Sequence, residues 1–347
     1  MNDILLLECA RPRAQQLTWA KALALCTLLR PRTGALQKLF AAVGLILTGA
    51  LLTACSRSES SSVSSSPASK IQVTATTTMV ADLVRQVGGD RVEVHALMGP
   101  GVDPHLYKAS ASDVTKLQHA NAIFYSGLLL EGKMQDVFTK MARSKKHVYA
   151  VTESLPEDRL LDDPNTPGHH DPHVWFDVPL WTTCVDAVVH GLSQTSEGNS
   201  DYFKKRGEET KAKLAELHQW AQKRIAELPK EKRILVTSHD AFNYFGRAYE
   251  FKVVGLQGIS TVEEANLAAV VKLVEFVKQN QVKAVFVESS VPPQAMNRIK
   301  QDAGVKIGGE LFSDAMGAAG QIENGYDLGT YEGMIKHNVN TIVEALR

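Results

Sequence analysis

The sequence predicts an α/β protein of two lobes, each a mainly parallel four-stranded sheet with flanking helices, joined by one long rigid helix. Three observations carry this expectation. From Lys70 onward, β-branched apolar runs alternate with amphipathic stretches of helical period, the order that builds parallel sheets. The alternation is completed twice, with four strands and about four helices in each half. Between the halves, residues 200–228 set Phe203, Thr210, Leu214, Leu217, Ala221, Ile225 and Leu228 at steps of three, four and seven along one helix face. Such a helix extends roughly 40 Å at 1.5 Å per residue. Pro229 ends it and no glycine-rich hinge follows, so a stiff joint is expected.

In the first half the short Val-, Ile- and aromatic-rich runs that suit a pleated surface are Ile71 to Thr76, Val92 to Met98, Ala122 to Tyr125 and His147 to Val151. Apolar residues recur at helical spacing over Met79 to Val87, Ala111 to His119, Gly132 to Ala142 and Leu180 to Ser193. In the second half the strands are Arg233 to Thr237, Lys252 to Leu256, Ala284 to Glu288 and Lys306 to Leu311. Its helices are Ala241 to Tyr249, Val262 to Gln279, Pro293 to Asp302 and Tyr331 to Leu346. The lobes are therefore placed at residues 70–198 and 230–347, with the linking helix at 199–229.

Ahead of them the chain has a different character. Arg11, Arg13, Lys21, Arg30, Arg32 and Lys38 precede an apolar run, Leu39 to Leu52, that closes on Leu52-Thr53-Ala54-Cys55. That is the pattern of a secretory signal, with a core too short for a membrane span of roughly 20 residues. An uncleaved membrane anchor is the plainer alternative. Residues 1–54 read as the signal peptide and the Ser-rich residues 55–69 as a flexible tether. The 347-residue chain is formally neutral; residues 55–347 alone are mildly acidic, which suits a cationic ligand. No basic block recurs on a helix face, which sets nucleic acid aside. Cys184 is left without a cysteine partner once Cys9 and Cys26 depart with the signal and Cys55 is taken as a lipid site, and its helical spacing places it in a core.

Chemistry concentrates in a repeated tripeptide, Asp103-Pro104-His105 and Asp171-Pro172-His173, joined by His239 just past a strand and Asp314 just past another. Proline fixes φ and pushes the residue before it to extended geometry, so each imidazole stands on a short stiff stem. Ligands of open α/β sheets gather outside the carboxyl ends of strands, where His105, His239 and Asp314 fall. Three imidazoles and a carboxylate suit zinc as a closed shell, and a bidentate Asp314 would admit manganese. The alternative is four loop residues satisfied by ordinary hydrogen bonds. His95, His119, His147, His190, His218 and His337 lie within elements and lack this placement. Glu288 and Asp103 are candidates to orient ligand imidazoles, and the exposed pair His169 and His170 could capture metal transiently. Trp175, Phe176, Phe242, Tyr244 and Phe245 could keep such a site dry.

Several stretches together resemble one family. They are Gly101-Val-Asp-Pro-His-Leu-Tyr, Asp171-Pro-His-Val-Trp-Phe-Asp, Ser238-His-Asp-Ala-Phe-Asn-Tyr-Phe, Leu256-Gln-Gly-Ile-Ser-Thr, Val287-Glu-Ser-Ser and Gly309-Glu-Leu-Phe-Ser-Asp-Ala-Met-Gly. From about Lys70 to Arg347 the chain is similar to the zinc- and manganese-binding receptors of bacterial ABC importers, the cluster A-I or TroA/ZnuA-like family. The resemblance implies two lobes on a long helix, one Zn2+ or Mn2+ held in the cleft by His105, His173, His239 and Asp314, and an ABC permease with its ATPase as partners. Leu52 to Cys55 likewise resembles a bacterial lipobox, which would make Cys55 the lipidated first residue of a monomeric protein facing the periplasm or cell exterior. Manganese-selective members often carry glutamate in place of His239, so zinc is favoured and manganese held close behind. Zinc receptors often have a long His/Asp-rich loop, here reduced to residues 162–171. The rival class is a zinc-dependent hydrolase using the three histidines, in which Asp314 would stand off as a general base. A third class, an adhesin, has no independent support in the residues.

Overall fold

The computed structural model describes residues 69–347; the expected signal at 1–54, lipidation at Cys55 and nearly all of the tether fall outside the described residues. The first lobe is built on strands β1 (Ile71–Ala75), β2 (Val92–Ala96), β3 (Ala122–Tyr125) and β4 (His147–Ala150). All pair in parallel, in the order β2-β1-β3-β4. The chain reverses its direction of travel across the sheet between β1 and β3, the kind of switch point at which open α/β sheets form a crevice. Alternation along β3 sorts its side chains to two cores. Ala122 and Phe124 join the large apolar core, whereas Ile123 joins Met98, Leu117, Met134, Phe138 and Met141 on the opposite face.

Helices α1 (Thr78–Gly88) and α4 (Val178–Thr195) cover the first of these faces, and α2 (Ala111–His119) and α3 (Gln135–Arg143) the second. Local chemistry sets their starts. The Thr77 hydroxyl accepts from the Val80 amide, Ser110 and Asp113 form a reciprocal capping box, and the Asp177 carboxylate accepts from the Leu180 amide with Pro179 in the first turn.

The linking helix α5 runs Ser200–Ile225, and its buried side is the expected stripe of Phe203, Thr210, Leu214, Leu217, Ala221 and Ile225. It ends three residues before Leu228, which still packs fully buried from the turn that follows. The helix lies against α1 and α4 of the first lobe and α9 (Tyr331–Leu346) of the second.

The second lobe contains β5 (Ile234–Thr237), α6 (Asn243–Tyr249), β6 (Lys252–Gly255), α7 (Leu267–Gln279), β7 (Ala284–Glu288), α8 (Gln294–Ala303) and β8 (Lys306–Leu311). Its four expected strands are present and parallel, joined as two pairs, β5 with β6 and β7 with β8, with β5 lying beside β7. The second pair slips register between Val285 and Phe286, so that Gly308 bulges out of the ladder. A methyl at Gly308 would stand 2.6 Å from the Phe286 ring, so the bulge and the bare backbone go together. Helix α7 starts at Leu267, five residues later than expected, because Asn266 caps it through the Ala269 amide. A short hairpin, β9 (Ile322–Glu323) with β10 (Tyr326–Asp327), turns on Asn324 and Gly325, both at positive φ.

One apolar core passes through both lobes and along α5. It includes Val80 and Trp181 of the first lobe, Leu214 of the helix, and Phe286, Tyr331 and Val339 of the second. The described residues accordingly belong to one compact unit. Among the described residues no helix is long and apolar enough to cross a membrane.

Candidate metal centre

The four residues singled out by their placement converge. His105 sits in the loop after β2, His173 leads into a 3-10 turn (Val174–Phe176) before α4, His239 lies two residues beyond β5, and Asp314 lies three beyond β8. One ligating atom from each falls within 4.8 Å of the others, and all four side chains are buried. The Nε2 atoms of His105 and His239 are each 3.4 Å from that of His173. The two Asp314 oxygens stand 3.3 Å from His173 Nε2 and His239 Nε2, and Oδ2 is 3.9 Å from His105 Nε2. Neither Asp314 oxygen has a hydrogen-bond partner although both are buried. Buried carboxylate oxygens left unpaired cost several kcal/mol, on the order of 3 or more. A cation in their midst removes that cost, and imidazole nitrogens on the other side complete a nitrogen and oxygen donor set suited to zinc or manganese.

Outer partners fix two of the imidazoles. Asp171 Oδ1 lies 2.6 Å from His173 Nδ1, and Glu288 Oε2 lies 2.5 Å from His239 Nδ1, leaving each Nε2 directed into the cluster. Glu288 also accepts from the His239 amide at 2.9 Å. Asp103 behaves differently from the expectation that it orients an imidazole. Among the described residues it makes no hydrogen bond to an imidazole nitrogen; its Oδ1 accepts from the His105 amide at 2.8 Å. Asp171 is the residue the sequence reading missed, and its signal was in plain view. It occupies the same place two residues before a histidine, and it caps the His173 amide in the same way at 3.0 Å.

These surroundings divide the imidazoles electrostatically. Burial, aided by the charges of His173 and His239 and only partly opposed by Asp314, drives His105 down to about 3, keeping it neutral. Burial also disfavours charge on His173, but Asp171 and Asp314 outweigh it and hold that imidazole up at about 9. His239 is raised as well, by Glu288 and Asp314 against its burial. Burial would raise Asp314, yet His239 and His173 hold it well below the usual carboxylate range. A cation entering the cluster therefore takes the place of protons.

Aromatic side chains seal the floor. Trp175 meets the His173 ring edge-on at 5.2 Å, its Nε1 donates to the Ser313 carbonyl at 3.0 Å, and Phe176 stacks on Phe242 at 4.3 Å. Tyr244 donates to the Asp171 carbonyl, and Phe245 packs on Phe242. The structure does not bring His169 or His170 into the cluster: His169 is exposed, and His170 Nδ1 lies 3.2 Å from Asp162 Oδ1 in a surface bridge. Cys184 is buried in the large core, away from any ligating role, and burial pushes its thiol up out of the reactive range.

Known proteins resemble both the sequence and the fold. The chain is 48% identical over 284 residues to the manganese-binding lipoprotein MntA of Bacillus subtilis, covering 80% of this chain and 90% of that one. It is 45% identical over 279 residues to the zinc-binding protein TroA of Treponema pallidum, covering 79% and 88%. The solved structure of the Treponema pallidum periplasmic zinc-binding protein TroA superposes with a TM-score of 0.75 at 43% identity, covering 80% of this chain and 99% of that one. The zinc-hydrolase alternative is not supported: these relatives are named as metal-binding proteins, and Asp314 sits among the imidazoles instead of standing off from them. Residues 73–345 match the model of the zinc-uptake complex component A periplasmic family, ZnuA, and the chain belongs to that family.

Proposed function

We propose that this protein is an exported, lipid-anchored receptor that captures one divalent metal ion, zinc or manganese, and delivers it to an ABC permease driven by a cytoplasmic ATPase. The observation that supports it most is the buried cluster of His105, His173, His239 and Asp314, with two carboxylate oxygens lacking any other partner. In this reading those four residues are the ligands, and Asp171 and Glu288 hold two of the imidazoles in the ligating tautomer. With all four in place no position is left open for an attacking water, and nothing is chemically transformed. Zinc exceeds manganese in affinity for nitrogen-rich sites, so zinc is favoured in vitro, while the manganese-binding relative keeps manganese close behind.

Cys55 would carry the lipid after removal of residues 1–54, residues 55–69 would tether the receptor, and lobes at 70–198 and 230–347, joined stiffly by the helix at 199–229, would hold the ion between them. The receptor would act as a monomer. Competition binding on residues 56–347, with bound ions counted by mass spectrometry, tests the proposal. One ion per chain is expected, with zinc displacing manganese and Asp314→Ala abolishing tight binding. A chain that binds neither metal, or an Asp314→Ala variant that binds as well as the parent, refutes it.

A further inference from the structure

We propose that Thr261 and Asp103 form a latch between the lobes that holds His105 against the metal and sets how fast the ion leaves. The inference rests on the receptor reading above. Asp103 uses both oxygens: Oδ1 accepts from the His105 amide at 2.8 Å, and Oδ2 accepts from the Thr261 hydroxyl of the opposite lobe at 2.6 Å. One carboxylate thus ties the backbone of a ligand to a loop of the other lobe.

Three further observations make this the point of release. First, His105 is the least secured of the three imidazoles. Asp171 and Glu288 grip the Nδ1 atoms of His173 and His239, while no carboxylate hydrogen-bonds to His105 Nδ1 among the described residues, and His105 is the farthest from Asp314 at 3.9 Å. Second, all four residues lie outside helices and strands, but His105 stands nine residues beyond β2, whereas His239 and Asp314 stand two and three residues beyond their strands and His173 directly precedes the 3-10 turn. Third, the latch stands at the wall of a cavity of about 310 Å³ lined by Asp103, Leu106, Ser238, Leu256, Thr261 and Met296. Leu106 follows His105 and Ser238 precedes His239, so this cavity flanks the cluster. Other polar bonds cross between the lobes near the cluster, from Tyr244 and Asn243 to Asp171, from Trp175 to Ser313 and from Tyr331 to Trp175, but none of these four reaches the loop that carries His105. Breaking the Thr261 bond frees the Asp103 turn to swing into the cavity and carry His105 with it, leaving the ion three ligands.

Thr261 is in this account a positioning residue, distinct from the four ligands. The test is a stopped-flow release measurement on residues 56–347 loaded with zinc and mixed with excess chelator. Thr261→Val keeps the branched shape and removes the donor, whereas Thr261→Ser keeps the donor. Loss of a hydrogen bond to a charged group predicts release roughly tenfold to a hundredfold faster in Thr261→Val. Its association rate and metal-free melting temperature should match those of the parent, and Thr261→Ser should release at the parent rate. Release at the parent rate in Thr261→Val, equally fast release in both variants, or a lowered metal-free melting temperature in Thr261→Val overturns the latch. All three chains must still bind one ion; failure of the parent to do so would count against the receptor reading itself.

Discussion

At the scale of single residues, the contrast between carboxylates that are spoken for and those that are not orders the whole site. Asp171 and Glu288 each give an oxygen to an imidazole Nδ1, while Asp314 keeps both oxygens unpaired inside the protein. Glu288→Gln should preserve the amide bond to His239 but weaken the hold on its ring and its basicity. Zinc affinity is expected to fall roughly 10- to 100-fold in a competition titration, the range found for such outer partners; unchanged affinity would make Glu288 merely structural. Another buried carboxylate, outside the cluster, serves the fold. Glu131 plugs the crevice between β1 and β3, accepting from the Thr76 hydroxyl at 2.6 Å and the Ser126 amide at 2.8 Å. Burial raises its pKa above the usual 4.5, and those hydrogen bonds only partly oppose the rise. The folded chain therefore holds this proton to higher pH than the unfolded chain. The resulting stabilisation is full below 4.5 and is lost as pH climbs through the folded value. Glu131→Gln cannot lose that proton, so its metal-free urea midpoint should gain on the parent's from mildly acidic to neutral pH. Midpoints that track in parallel would show that burial does not shift this carboxyl.

At the scale of elements, packing and intrinsic propensity make opposite forecasts at Gly191 in α4. Propensity alone says that alanine there should stabilise the helix by about 1 kcal/mol. A methyl at that position would stand 2.7 Å from the Phe124 ring and 2.8 Å from that of Tyr149. Overpacking of this kind costs about 1 to 3 kcal/mol, so Gly191→Ala is expected to lower the melting temperature, and a higher one would show that the sheet yields. Gly198→Ala, with nothing within 4 Å of the new methyl, should be close to neutral. The same division between local and distant causes explains what could be read from the residues. The buried stripe of α5 was legible because amphipathic period is a property of the segment itself, and the strands because β-branched runs are. The start of α7 was not, since apolar Val262 continues the pattern upstream while the cap that decides the matter is Asn266. The β9–β10 hairpin escaped because strands of two residues have no alternation to detect, although its Asn324-Gly325 turn was there to be seen. Which strands pair, and that the second lobe's strands form two ladders, depends on neighbours far off in sequence. That His105, His239 and Asp314 meet was legible through placement at strand ends, whereas Asp171 was passed over because its partner is only two residues away, inside the motif that drew attention to His173.

At the scale of the whole molecule, the interface between the lobes decides how far they can move when the ion comes and goes. Trp175, Phe176, Phe242 and Tyr331 are all essentially inaccessible and belong to the core that spans both lobes and α5. Exposing large side chains of this kind costs about 1.5 to 3 kcal/mol each, so parting these four would demand about 6 to 12 kcal/mol, comparable with the entire stability of a domain. Polar bonds deepen the commitment. Tyr331 donates its hydroxyl to the Trp175 carbonyl at 2.6 Å and its amide to Asp82 at 3.1 Å, and the Met316 amide donates to the Thr78 hydroxyl at 2.9 Å. No binding energy from one ion would drive a wide hinge against that interface and still leave useful affinity. Loading should therefore change the molecule locally, at the loop carrying His105 and the one carrying Thr261, while the lobes stay nearly fixed. Distances between spin labels, one on the exposed end of α3 and one on that of α8, should differ between metal-free and zinc-loaded chains by no more than a few ångströms. Unfolding followed by aromatic and by backbone circular dichroism should give one coincident transition, because the two lobes share a core. A wide change in label distance, or two separated transitions, would mean that the lobes are independent bodies and that release proceeds by their swinging apart.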